Sequence, residues 1–106
     1  MSKTVMKVWK YSFSPGDEPK ATLDIPAGAQ LLDLLEVSEA GTVSFWASHI
    51  VGSEDAKEPR TVQFVGTGHA LMYDTDSQMA VHVASCIDKR GYYTFVWHLF
   101  EIIGEA

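Results

Sequence analysis

The sequence predicts an all-β single domain over residues 1–106, an antiparallel sandwich or small barrel of about seven strands. Three observations carry that expectation. Runs rich in Val, Ile, Thr and aromatic residues recur at short intervals, separated by Gly, Pro and Asp turn signals. Two pairs of runs fold back on each other so that apolar and polar residues sort onto opposite faces. A chain of 106 residues, 46% of them hydrophobic, is long enough for one core and too apolar for a disordered chain.

Thr4 to Ser14 alternates loosely and is rich in Val, Trp, Tyr and Phe, which reads as a strand broken by Ser14-Pro15-Gly16-Asp17. Lys20 to Ile25 is a short strand ended by Pro26-Ala27-Gly28. Leu31 to Ser38 has leucines at helical spacing, but it reads better as a strand. The loop Glu39-Ala40-Gly41 pairs Ser38 with Thr42, and Thr42 to Val51 is a strand. That pairing puts Leu31, Leu35, Val37, Val43, Phe45 and Ala47 on one face, with Leu32, Leu34 and Trp46 on the other. Gly52 to Pro59 is a charged loop, Arg60 to Val65 a strand, Gly66 to His69 its end and Tyr73 to Gln78 a polar loop.

Met79 to Ile102 reads as a hairpin closed by Asp88-Lys89-Arg90-Gly91. A loop with Gly91 as its left-handed last residue sets Asp88 opposite Tyr92 and His82 opposite His98. Val81, Val83, Ile87, Phe95, Trp97 and Leu99 then form the core face. Ala80, His82, Ala84, Cys86, Thr94, Val96, His98 and Phe100 form a mixed face. Gly104-Glu105-Ala106 is expected to fray.

Composition narrows the function classes. A net charge of −6 disfavours binding to a nucleic-acid polymer. Cys86 is the only cysteine, which suits a reducing compartment, and no apolar run reaches the ~20 residues of a membrane helix. The N-terminus lacks a signal-peptide apolar core, because Lys3, Lys7 and Lys10 interrupt it. The expected location is cytoplasmic.

Gly66-Thr67-Gly68-His69 is the first candidate site. Two glycines around a hydroxyl, after a strand, can turn backbone N–H groups toward an anion. His69 adds a donor and Arg60 enters from the same strand. The spacing matches neither a Walker loop nor the dinucleotide fingerprint, and a glycine-rich bend explains the same residues. His82 and His98 form a second candidate. Cross-strand partners lie close enough to share a metal, but Cys86 is on the order of 13 Å along the strand and no third ligand is evident. No metal or cofactor is therefore expected. Trp9, Tyr11, Trp46, Tyr92, Tyr93, Trp97 and Phe100 are many aromatics for so short a chain, and Trp46 opposite its core face suits a planar ligand or a partner subunit. No serine sits in a nucleophile-elbow motif and Cys86 has no activating cation beside it.

The chain also resembles an uncharacterised family of small phage and prophage proteins. The blocks that carry the resemblance are Val8-Trp9-Lys10-Tyr11, Ile25-Pro26-Ala27-Gly28-Ala29, Phe45-Trp46-Ala47, Val65-Gly66-Thr67-Gly68-His69 and Val96-Trp97-His98-Leu99-Phe100-Glu101, in that order from end to end. It implies a phage origin and carries no activity with it. The expected role is binding without catalysis: a counter-defence protein that sequesters a small nucleotide signal in the host cell. Phosphate would sit on Gly66, Thr67, Gly68 and His69. Arg60 or Lys10 would supply charge, Trp9 or Trp46 would stack on a base, and His98 would lie near. The alternative is a protein-interaction module that masks a host protein with its acidic surface. A homo-oligomer is expected through Val96, Phe100, Ala80, Ala84 and Trp46.

Overall fold

The computed structural model describes residues 3–16 and 19–104. Seven strands follow in order: β1 (Met6–Phe13), β2 (Lys20–Pro26), β3 (Gln30–Val37), β4 (Val43–Ile50), β5 (Lys57–Gly66), β6 (Gln78–Arg90) and β7 (Tyr93–Gly104). They make two antiparallel sheets, one ordered β1-β4-β3 and the other β2-β5-β7-β6. The body measures 54 × 35 × 21 Å. Its short dimension is that of two sheets packed about 10 Å apart with their outer side chains. The expected sandwich is therefore what forms. Asp17 of the first breaker, and Glu105 and Ala106 of the tail expected to fray, lie outside the described residues.

The β3–β4 hairpin closes as its sequence predicts. The Ser38 N–H donates to the Thr42 carbonyl at 2.9 Å, the Thr42 N–H donates to Ser38 Oγ at 3.0 Å, and Gly41 takes φ +86°. Leu35, Val43, Phe45 and Ala47 are buried, with Leu31 and Val37 packed against them. A bulge lies between Leu31, opposite Ala47, and Leu35, opposite Phe45, and it leaves Leu34 exposed.

The β6–β7 hairpin departs from expectation. Arg90 pairs with Tyr93, so the loop is Gly91-Tyr92, with Gly91 at φ +60° in its first position. That is the glycine demanded by a two-residue turn of type II′. Asp88 faces Phe95 instead of Tyr92, and His82 faces Phe100 instead of His98. The register shift also inverts β6. Ala84, opposite Leu99, is fully buried, and Cys86, opposite Trp97, packs on the core, while Ile87 is two-thirds exposed beside Val96. Small side chains face inward here because β3 approaches β6 where the two sheets meet. Val83 still reaches the core through a bulge between His82 and Ala84. Ala84 is thus absent from the mixed face expected to pair subunits, and Phe95, expected in the core, is 42% exposed.

Lys57, Glu58 and Pro59, expected in a loop, begin β5 opposite Pro26, Ile25 and Asp24. Pairing with β7 starts only at Thr61, so Pro59 sits where its missing N–H leaves no gap in a ladder. After β5 the chain crosses the outer face of its sheet. The Gln63 amide holds it there, donating to the Met72 carbonyl and accepting the Met72 N–H, each at 2.8 Å.

Candidate functional site

The Gly66–His69 segment is a closed turn. Gly66 is the last residue of β5, opposite Trp97, and Gly68 takes φ +88°. The His69 N–H donates to the Gly66 carbonyl at 3.0 Å, and the Thr67 N–H donates to the Val96 carbonyl at 3.0 Å. Two of the four N–H groups expected to cradle a phosphate are thus spent on the chain itself. Gly66 has a packing reason to be glycine: a Cβ there would stand 2.9 Å from Trp97 Cζ3 and 3.0 Å from His69 Nδ1. Both rings close over its backbone.

Except for His98, the remaining candidates lie apart from this turn and, for the most part, from each other. Arg60 shares β5 with Gly66 but sits six residues away, on the order of 20 Å along the strand. It forks onto Glu101, with Nε donating to Oε2 and Nη2 donating to Oε1 at 2.9 Å, while Nη1 donates to the Ala29 carbonyl at 2.8 Å. A cleft of ≈ 700 Å³ opens beside this pair, lined by Thr22, Gly28, Glu58, Thr61 and Ile103 among others. Its polar groups already bond one another: Glu58 Oε1 accepts the Gly28 N–H at 3.2 Å. Lys10 and Trp46 face each other across the β1–β4 pair, with Nζ 5.5 Å from the ring centre. Trp9 lies edge-on to His49, with ring centres 4.3 Å apart.

His98 does meet the turn. Ser85 Oγ lies 2.8 Å from both His82 Nε2 and His98 Nδ1, and His98 Nε2 lies 2.9 Å from Thr67 Oγ1. One choice of tautomers satisfies every link. His82 Nε2–H donates to Ser85, Ser85 to His98 Nδ1, His98 Nε2–H to Thr67, and Thr67 to the Val96 carbonyl at 3.4 Å. The two imidazoles are neighbours at 6.1 Å between ring centres although they are not paired residues. Among the described residues no group of three or more His, Cys, Asp or Glu side chains is placed to hold a metal ion. Cys86 points to the other face of β6, where burial, then Asp88, pushes its thiol pKa above the ordinary value. This disfavours the reactive thiolate.

His49 is 2% exposed, and its Nε2 lies 3.0 Å from Glu54 Oε1. Glu54 also accepts the Gly52 N–H at 2.6 Å. The hydrogen bond from its own backbone N–H, then those from His49 and Gly52, hold the Glu54 carboxyl below its ordinary 4.5. A carboxyl whose pKa is lowered on folding adds stability above its unfolded value, and that stability is lost as pH falls through the folded value. Glu54→Gln is therefore expected to lower the plateau near pH 7 and to flatten the acid limb, so that the two curves converge below about pH 4.5. Urea melts at pH 3 to 7 check this, and parallel curves for the two proteins would contradict it.

The feature that sequence reading passed over is the inner face of β7 as it leaves the sandwich. Phe64 stacks on Trp97 at 4.7 Å and 25°, Trp97 on Phe95 at 5.8 Å and 22°, and Phe95 on Tyr93 at 6.4 Å and 24°. Exposure rises along this ladder from 7% at Phe64 to 42% at Phe95 and 71% at Tyr93. Its base is fixed by Asp88, whose Oδ2 accepts Arg90 Nε–H at 2.8 Å and Trp97 Nε1–H at 3.4 Å. Arg90 Nη2 in turn donates to the Ser38 carbonyl at 2.9 Å, tying the hairpin to the β3–β4 loop. A recess of ≈ 420 Å³ flanks the ladder, lined by Gly66, Thr67, His69, Thr94, Phe95, Val96 and Trp97 and by no Lys or Arg. The signal available in the sequence was the period-two spacing of Tyr93, Phe95 and Trp97. It is masked because Phe95 and Trp97 read as core-face residues and Tyr93 as one aromatic among many.

A family model described as Domain of unknown function (DUF7352) matches residues 4–105. No curated protein and no solved structure matches the chain. The chain belongs to the DUF7352 family.

Proposed function

We propose that this member of the DUF7352 family is a non-enzymatic, phage-type protein-interaction domain that masks a host protein in the host cytoplasm. The observation that carries this reading is the Tyr93–Phe95–Trp97 ladder. It presents aromatic faces to solvent at the tip of a hairpin braced by Asp88 and Arg90. Rigid aromatic anchors of this kind dominate protein interfaces, each costing about 2 kcal/mol or more when truncated. The net charge of −6 adds attraction for a basic partner surface. The nucleotide reading has less support, because no Lys or Arg lines the Gly66–His69 recess and two of its N–H groups are engaged.

The test compares the native chain with a Tyr93→Ala/Phe95→Ala variant as bait for proteins of the host cell. The variant is expected to keep its melting temperature within a few degrees and to lose the captured partner. A thermal-shift screen of cyclic and linear nucleotides is expected to give no stabilisation. A nucleotide that raises Tm, with an affinity that falls on His69→Ala, would put the small-ligand reading in place of this one.

A further inference from the structure

The β6–β7 hairpin outruns its neighbour. β5 ends at Gly66, opposite Trp97, and turns aside, whereas β7 begins at Tyr93. Backbone groups alternate sides along a strand. The Val96 carbonyl faces the β5 side, since it accepts the Thr67 N–H. Thr94, two residues away, therefore turns its N–H and C=O to that same side, where no strand of the described residues pairs with it. An unpaired strand edge is a template for another strand, and proteins blunt such edges with charge and proline. The four outer strands are blunted in this way: β1 carries Lys7 and Lys10, β3 carries Asp33 and Glu36, β2 carries Lys20 and ends on Pro26, and β6 ends in Lys89-Arg90. From Tyr92 to Phe100 there is no Lys, Arg, Asp or Glu. The edge left unguarded is the one beside the aromatic ladder and the His69 recess.

We propose that the Tyr93–Val96 edge of β7 is a strand-addition site for an extended, neutral-to-basic segment of a partner protein, with one large apolar side chain seated in the recess between His69 and Phe95. This rests on the reading of the hairpin tip as a protein-binding surface and says how that surface recognises its partner. Main-chain pairing with Thr94 sets the direction and register of the incoming strand, and the recess selects the side chain. The ≈ 420 Å³ recess takes one aromatic or branched aliphatic group. The acidic balance selects against acidic segments. A second copy of this chain is a poorer occupant. The edge spans four residues with two partly exposed rings, small against the ~1,200 Å² that a stable interface buries, and both copies would carry −6.

The experiment titrates isotope-labelled protein with the synthetic peptide acetyl-KTVWVTK-amide, its Trp→Ala form, and two forms N-methylated at alternate sets of amides. Expected are amide shifts concentrated at Thr94, Val96 and His69, with affinity weakened about tenfold or more by Trp→Ala and by one of the two N-methylated sets. Equal binding of both N-methylated peptides, abolished by Tyr93→Ala/Phe95→Ala, would overturn strand addition while leaving the hairpin tip as a binding surface. Absence of any shift at Thr94 would also overturn it. Concentration-dependent shifts at Thr94 without peptide, with a dimer mass by sedimentation, would overturn it in favour of a second copy.

Discussion

Phe45→Ala is expected to lower the free energy of unfolding by about 3–5 kcal/mol, the usual cost of removing a buried aromatic ring. Phe45 is fully buried in β4, the central strand of its sheet, where its ring stacks on Tyr11 at 5.6 Å and 22°. Val43 and Ala47 on the same strand and Leu35 on β3 share its buried cluster, and the β4 backbone is fixed by strand pairing on both sides. Such a site cannot collapse around a lost ring, so most of the cavity remains. Urea unfolding should show a lower midpoint with an unchanged slope. Leu34→Ala, at the exposed bulge of β3, is the control and should change stability by less than about 0.5 kcal/mol. A loss below about 1 kcal/mol at Phe45 would mean that the two sheets do not close over β4 as described.

Glu101→Ala is expected to cost about 3 kcal/mol, for an electrostatic reason. The Arg60 and Glu101 side chains are 17% and 10% exposed, and their fork is the polar closure of one end of the sandwich. Glu101 hydrogen-bonds the Arg60 guanidinium and raises its already high pKa, so Arg60 stays charged when its partner is removed. What the single variant leaves behind is a half-buried cation with one carbonyl, that of Ala29, and the more distant Glu58 carboxylate at 3.6 Å. An Arg60→Met/Glu101→Leu double variant should recover most of the loss, because two apolar groups of similar volume avoid the desolvation cost of both ions. A double-mutant cycle from urea melts gives the coupling directly. Single and double variants that all fall within about 0.5 kcal/mol of the native chain would show the pair to be screened by solvent.

How much of the molecule is legible in the sequence depends on which residues set each feature. The fold class, the order of strands and the β3–β4 hairpin are written locally. Gly41 and Ser38 define one loop, and the alternation of Leu35, Val37, Val43 and Phe45 then selects the buried face. The β6–β7 hairpin is not determined in the same way. Gly91 fits the last position of a three-residue loop as well as the first of a two-residue loop, and the two choices differ in parity. On β7, Trp97 and Leu99 face inward under either choice. On β6 the small residues Ala84 and Cys86 face inward because β3 runs close beside them, a contact between strands distant in the chain. The candidate site shows the same division. The turn at Gly66–His69 is visible as glycines around a hydroxyl. Two of its four N–H groups are spent because Val96 and Gly66 supply carbonyls to them, and only the tertiary arrangement sets those distances. Arg60 and Lys10 are cations in any reading, but strand length and sheet assignment carry them away from the turn. The aromatic ladder is spelled out at period two in Tyr93, Phe95 and Trp97. Whether those rings are core or surface depends on where β5 stops and how far the β1-β4-β3 sheet reaches. Burial is a property of neighbours, and the neighbours come from remote parts of the chain.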